Sequence, residues 1–179
     1  NHSRWIEWCC LERRLTSRQV DCDQSMSTYK NQPWSTRLKT MGDTAETAFE
    51  SVHPTAHRLG MLRPTFDTRH MRDTMRYAPD YMLPDGLYEV MGCASRGDSM
   101  LKTRFDKLTS MSVWQAVGPV NLWIWDSSKK RYWVAPLAEW VKAFHKFGVV
   151  DRFPDNNKPY FALHIDYFPT EPIRHDIQP

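Results

Sequence analysis

Asp80 and Glu89 are the residues whose type and spacing suggest chemistry. They flank Pro84-Asp85-Gly86, a tight-turn sequence between two short apolar runs, Tyr77 to Leu83 and Leu87 to Cys93. Such a pattern predicts a β-hairpin. With a two-residue connection, position 83 pairs with 86, and position 80 then falls opposite 89. A three-residue loop would make the two carboxylates diagonal neighbours instead. In the shorter register they face one another across about 5 Å, where like charges destabilise a sheet unless something compensates. A divalent cation compensates well, because Mg²⁺ takes hard oxygen ligands, commonly one or two carboxylates. The plainer reading is that both acids are solvated on an outer sheet face.

The surrounding elements must hold that hairpin. Gly42-Asp43-Thr44 offers helix-capping chemistry before Ala45, Ala48, Phe49 and Val52, an apolar stripe at helical spacing. After the hairpin, Ser99 to Val117 reads as a helix with Leu101, Phe105, Leu108 and Met111 facing a core, ended by Gly118-Pro119. Val120 to Trp125 and Arg131 to Val134 read as strands. Pro136 opens a helix that buries Leu137, Trp140, Val141 and Phe144. Alternation from Phe161 to Tyr167 gives a last strand. This order predicts an α/β (α+β) fold with one central mixed β-sheet flanked by helices.

Ala78-Pro79-Asp80 followed by Glu89-Val90-Met91 resembles the signature of the PD-(D/E)XK, restriction-endonuclease-like, nuclease superfamily. Gly42-Asp43-Thr44-Ala45-Glu46 is similar to the first-helix segment, with its glutamate, in many of these enzymes. The resemblance spans residues 40 to 135, and small bacteriophage-encoded members come closest in general character. It implies a metal-dependent deoxyribonuclease in which Asp80, Glu89 and the Val90 carbonyl hold Mg²⁺ or Mn²⁺, and in which Glu46 binds a second metal or buttresses the first. The motif lysine is missing: Met91 stands two residues after Glu89, on the same face of the strand. Some members supply this lysine from the following helix. Lys102, in the first turn of the expected helix, is the favoured replacement, and Lys107 is the alternative more than a turn further on. Arg72, Arg76, Arg96 and Lys107 are candidate DNA-binding residues, with Arg63 and Arg69 nearby. A relative that has lost catalysis, kept as a DNA-binding or phage assembly protein, is the competing reading.

Composition sets the frame. The chain has 179 residues, 41% of them hydrophobic, with a net charge of +3. That is enough apolar material for one domain, and the mild basicity permits a nucleic-acid partner. No apolar run is long enough for a membrane span. Neither a signal peptide nor a disulfide framework is expected, which points to a cytoplasm, that of a bacterial host for a phage protein. Residues 1 to 39 read as an N-terminal arm, including a helix around Trp5 to Leu15, and 40 to 179 as the nuclease domain. A zinc site from His2, Cys9, Cys10 and Cys22 lacks paired C-x₂-C spacing. His53 and His57 stand four apart with Pro54 between them and no completing ligand. His164 reads as a satisfied histidine. Arg96-Gly97-Asp98 reads as a loop. Trp123, Trp125 and Trp133 are expected to pack beneath the last helix. Junction-resolving members of the superfamily act as dimers, which implies a homodimer here.

Overall fold

A computed structural model describes residues 34–61, 68, 70–93, 95–96, 99–154 and 156–175, the backbone alone over 34–41. The expected N-terminal helix, the cysteine cluster, Arg63, Arg69 and most of the Arg96-Gly97-Asp98 loop lie outside the described residues. The chain divides into two units after Arg37, and all that follows lies in the second, Leu38–Pro179, apart from the first turn of the first helix. It is a mixed α/β unit. Among the described residues no helix is long and apolar enough to cross a membrane.

The second unit is organised on a six-stranded mixed sheet. In chain order the elements are α1 (Trp34–Val52), β1 (His57–Arg58), α2 (Asp73–Arg76), β2 (Tyr81–Leu83), β3 (Gly86–Cys93), β4 (Met100–Arg104), α3 (Phe105–Trp114), β5 (Val120–Asp126), β6 (Arg131–Pro136), α4 (Leu137–Phe147), β7 (Val149–Arg152), β8 (Pro159–His164), a 3₁₀ turn (Ile165–Tyr167) and β9 (Ile173–Arg174). The main sheet runs β1-β2-β3-β5-β6-β9, and β4-β8-β7 form a second sheet of three strands. β3 and β5 are parallel, so the chain crosses over between them through β4 and α3. The other pairings in the main sheet are antiparallel.

The hairpin has the shorter of the two predicted registers. Leu83 pairs with Gly86, Met82 with Leu87 and Tyr81 with Tyr88. Gly86 has φ +151°, and a Cβ there would meet the Pro119 carbonyl oxygen at 2.6 Å, so the turn requires glycine at this position. The first strand is shorter than predicted. Residues 77 to 80 form the loop that leads into β2.

Each face of the main sheet carries its own core. Tyr88 and Val90 of β3 and Trp123 and Trp125 of β5 pack against Ala45, Ala48 and Phe49 of α1. Leu87 and Cys93 of β3 and Leu122 and Ile124 of β5 pack with Leu108 and Met111 of α3 and with Trp140 and Phe144 of α4. Trp133 lies beneath α4 as expected, but Trp123 and Trp125 do not. Side chains alternate across a strand, so both of these point to the α1 face. α1 also begins earlier than its capping residues suggest, at Trp34, and runs through Gly42. Glycine costs about 1 kcal/mol in a helix interior, which the packing of Ala45, Ala48 and Phe49 overrides.

The expected helix over Ser99 to Val117 is a strand followed by a shorter helix. Met100–Arg104 alternates in burial, with Leu101 and Thr103 inside and Lys102 exposed. It pairs in register with β8, Lys102 opposite Ala162. The last strand is also shorter, because the chain turns at Ile165 and does not continue to Tyr167.

The C-terminal end of β5 is pinned by a buried acid. Asp126 is fully buried; its Oδ1 accepts from the Ser95 and Ser128 amides at 3.1 Å each, and its Oδ2 accepts from Arg131 Nε at 3.0 Å. Burial pushes the carboxyl up, but Ser95, then Arg131 and Ser128, hold it below the usual aspartate range. A depressed folded pKa stabilises the protein above the unfolded value, near 3.9, and the benefit is lost as pH falls through the folded one. Asp126→Ala is expected to cost about 3 kcal/mol at pH 7, the usual cost of leaving one partner of a buried pair alone. Asp126→Asn should flatten the stability curve below about pH 4, where this carboxyl titrates in the unfolded chain. Urea unfolding across pH 2 to 7 checks both. An unchanged acid limb in Asp126→Asn would show that other carboxylates dominate it.

Candidate active site

The open end of the hairpin gathers the chemistry. Asp80 lies one residue before β2, and the register of the pair carries it opposite Glu89. Directly opposite residues share a face, and on β3 that is the face of Leu87, Met91 and Cys93, toward α3. Two backbone amides, Leu59 N at 2.9 Å and Gly60 N at 3.1 Å, donate to the Asp80 carbonyl. The Val90 amide donates to Asp80 Oδ2 at 2.8 Å. A strand residue presents its N–H and C=O to the same side, so the Val90 carbonyl is directed toward Asp80 as well.

Glu89 is 1% exposed. Its Oε1 forms an ion pair with Lys107 Nζ of α3, and its Oε2 has no hydrogen-bond partner among the described residues. Burial pushes the Glu89 carboxyl well above the ordinary glutamate range, and the charge on Asp80 adds to that; Lys107 opposes both. Burial works against the Lys107 ammonium too, but Glu89 and then Asp80 outweigh it and hold the amine protonated well above the ordinary lysine range. Lys107 therefore carries fixed positive charge beside two acids. Its side chain is 27% exposed, so it joins the buried glutamate to the surface.

The exposed side is a pocket of about 210 Å³ whose walls include Gly60, Met61, Arg76, Tyr77, Asp80 and Lys107. α2 is held in place by α3. Ser110 Oγ donates to the Tyr77 carbonyl at 2.9 Å and Trp114 Nε1 to the Thr74 carbonyl at 2.8 Å. Arg104 donates to the Tyr77 hydroxyl at 2.5 Å and is ion-paired with Asp106. Asp106 in turn accepts from the Lys107 amide at 2.9 Å, which fixes the first turn of α3.

Comparison with family models, with curated proteins and with solved structures finds no match to this chain. The assignment of roles therefore rests on where each residue lies.

Asp80, Glu89 and Val90 come together as the sequence suggested. Lys102 does not join them. It sits on β4, in the smaller sheet, and lies near enough to Asp151 to lower that carboxyl below its usual range, after the Arg152 amide and the Tyr160 hydroxyl. Lys107, the alternative, meets Glu89. Glu46 is also elsewhere. On α1, across the sheet, it accepts from Arg58 at 2.6 Å, in a network with Glu50 and the Tyr81 hydroxyl. Among the DNA-binding candidates, Arg76 and Lys107 line the pocket. Arg72 and Arg96 are exposed and outside its walls. Met91 packs against the α3-side core, with the Thr103 hydroxyl 3.8 Å from its sulfur. The His53 ring lies tilted against Phe49, their centres 4.7 Å apart, and His164 accepts from the Asp166 amide. Tyr77 and Gly60 were not foreseen. The first was read only as the start of the hairpin's first strand, and the second acts through the absence of a side chain.

The donor set suits a hard divalent cation. Two carboxylates, one with a buried oxygen lacking a partner, and a carbonyl directed to the same place are oxygen ligands of the kind Mg²⁺ and Mn²⁺ take. The described residues contain no group of three or more His, Cys, Asp or Glu able to hold a metal, so the remaining ligands would be carbonyl, water or substrate oxygens.

Gly60 bears on this directly. A Cβ there would lie 3.0 Å from Asp80 Cα and 3.2 Å from Asp80 Oδ1. Gly60→Ala is expected to displace Asp80 and to cost about 1–2 kcal/mol, in the range of overpacking. Urea unfolding measures that cost, and the shift of melting temperature by Mn²⁺ reports the displacement. A variant matching wild type in both would show that the loop yields without moving Asp80.

Proposed function

We propose that this chain is a metal-dependent deoxyribonuclease on a restriction-endonuclease-like core, hydrolysing DNA phosphodiester bonds. The observation that carries the reading is the Glu89–Lys107 ion pair, buried at its glutamate end, beside Asp80, with Lys107 and Asp80 in the wall of the pocket. Adjacent acids with a cation built in beside them are costly to bury, and a phosphate-handling site uses all three. The order of α1, the β2–β3 hairpin, α3 and parallel β5 agrees with the core that the PD-(D/E)XK resemblance implies. Lys107 takes the role that Met91 cannot fill.

Asp80, Glu89 and the Val90 carbonyl would hold Mg²⁺ or Mn²⁺. When bound, such an ion supplies Lewis-acid chemistry, polarising a phosphoryl oxygen and lowering the pKa of water. The Val90 amide orients Asp80, so the carboxylate is fixed before any ligand arrives. Lys107 remains protonated and therefore acts as an electrostatic stabiliser. Its ammonium offsets charge that develops on the phosphoryl group in the transition state. Glu46 has no part in these steps, because Arg58 engages it across the sheet. The compartment proposed with this reading is a cytoplasm, that of the bacterial host for a phage-encoded chain.

The test is a melting experiment combined with a cleavage assay. Mn²⁺ or Mg²⁺ is expected to raise the melting temperature, because a ligand bound only by the folded state stabilises it. Asp80→Asn should abolish the shift, and wild type should cleave plasmid, branched or single-stranded DNA with either ion. Equal shifts in wild type and Asp80→Asn would place the metal elsewhere. Wild type that binds DNA but cleaves none of the three would be the catalytically inactive relative.

A further inference from the structure

We propose that Arg76 seats one backbone phosphate of the nucleic-acid strand against Asp80 and Lys107, positioning the strand without reading its bases. This rests on the nuclease reading above and names how its substrate is held. Arg76 is half-buried at the end of α2 and forms part of the pocket wall that also contains Asp80 and Lys107. Its guanidinium carbon lies 5.3 Å from the centre of the Tyr77 ring. Stacking on an aromatic face restrains a guanidinium while leaving its edge N–H donors available. Among the described residues no acid pairs with it. Arg58, Arg104 and Arg131 differ in this respect, since each has a carboxylate partner.

The pocket's other contents fix the class of ligand. Lys107 is committed to Glu89, and Asp80 repels an anion. An approaching phosphate therefore needs a second cation, and among the described residues of the pocket wall Arg76 is the one without a carboxylate partner. The guanidinium fork matches two phosphate oxygens at once. Tyr77 is already engaged by two guanidinium groups. Arg76 stands over its ring, a second guanidinium from Arg104 lies 5.0 Å from the ring centre, and its hydroxyl accepts from Arg104. The site therefore recognises the sugar–phosphate backbone, and contacts of that kind carry no sequence information.

The experiment measures binding of fluorescent dT and mixed-sequence oligonucleotides, single-stranded and duplex, without added metal, across a salt series. The proteins are wild type, Arg76→Ala, Arg76→Lys and, as a control for general charge, Arg174→Ala on β9. Arg76→Ala is expected to weaken binding about tenfold for every sequence and to reduce the salt slope by about 1, the signature of one lost phosphate contact. Arg76→Lys should keep the slope and recover part of the affinity, and it also serves if the alanine variant folds poorly. Arg174→Ala should match wild type. An unchanged slope and affinity in Arg76→Ala overturns the proposal. So does a loss confined to some base sequences, or the absence of nucleic-acid binding by wild type. Wild-type cleavage of the same oligonucleotides with Mn²⁺ judges the nuclease reading separately. An Arg76-dependent slope without cleavage keeps the phosphate seat and overturns the nuclease.

Discussion

Lys107→Met is expected to lower metal-dependent DNA cleavage by about 10²–10³-fold, the loss typical when one preorganised electrostatic group is removed from a transition state. The side chain keeps an unbranched apolar stem, one atom shorter, and loses the ammonium with its charge and donors. DNA binding should change far less than turnover, since the interaction grows as charge develops on the phosphoryl group. Lys102→Ala should cleave like wild type, because Lys102 is exposed on β4 and pairs across to β8. Single-turnover cleavage beside a binding assay at fixed salt separates the two effects. Full activity in Lys107→Met with loss of activity in Lys102→Ala would reverse the assignment. Equal losses of turnover and binding in Lys107→Met would make the lysine a substrate ligand only.

The acids were legible in the sequence and the lysine was not, for reasons that lie in particular residues. Pro84-Asp85-Gly86 permits few connections, and each step away from the turn keeps the pairing sum constant. Placing 83 against 86 therefore places 80 against 89. Local chemistry sufficed there. Around Lys102 it misled. Leu101, Phe105 and Leu108 are spaced as one helical face, and nothing nearby marks a boundary before Phe105. What makes Met100–Arg104 a strand is β8, whose residues lie about 60 positions further along the chain. Partners that distant leave no local trace. The break removes nearly two turns from the start of the predicted helix, and it exchanges the lysine that points at Glu89.

Glu46 shows the same limit from another direction. Its place on a helix was correct, but the face of the sheet that the helix covers was not readable. Phe49 packs against Tyr81 and Trp123, which point away from Glu89, and Glu46 follows them to that side. Trp123 and Trp125 were misplaced because β5 is buried on both faces from Leu122 to Asp126. A strand apolar on both sides does not reveal which of its residues meet which layer.

The Glu89–Lys107 pair should prove a poor source of stability, and this can be measured. Either single substitution leaves one member of the buried pair without its partner. Lys107→Met strands a glutamate that is 1% exposed, next to Asp80, and is expected to cost about 3 kcal/mol. Glu89→Leu should cost less, because the Lys107 side chain reaches the surface and retains Asp80 as a neighbour. Glu89→Leu/Lys107→Met replaces both with apolar side chains of similar volume. Buried pairs exchanged in this way are often neutral or even stabilising. The double variant is therefore expected within about 1 kcal/mol of wild type, with a coupling of about 2 kcal/mol between the sites. Asp80 remains held in it, since its Oδ2 partner is the Val90 backbone amide. Urea unfolding at pH 7 of the four proteins gives the cycle. Strictly additive losses would mean that each residue is supported independently of the other. A double variant as stable as wild type but without cleavage would instead show that the fold does not need the charges. Their presence in the hydrophobic layer between β3 and α3 would then be explained by what they do to a phosphate.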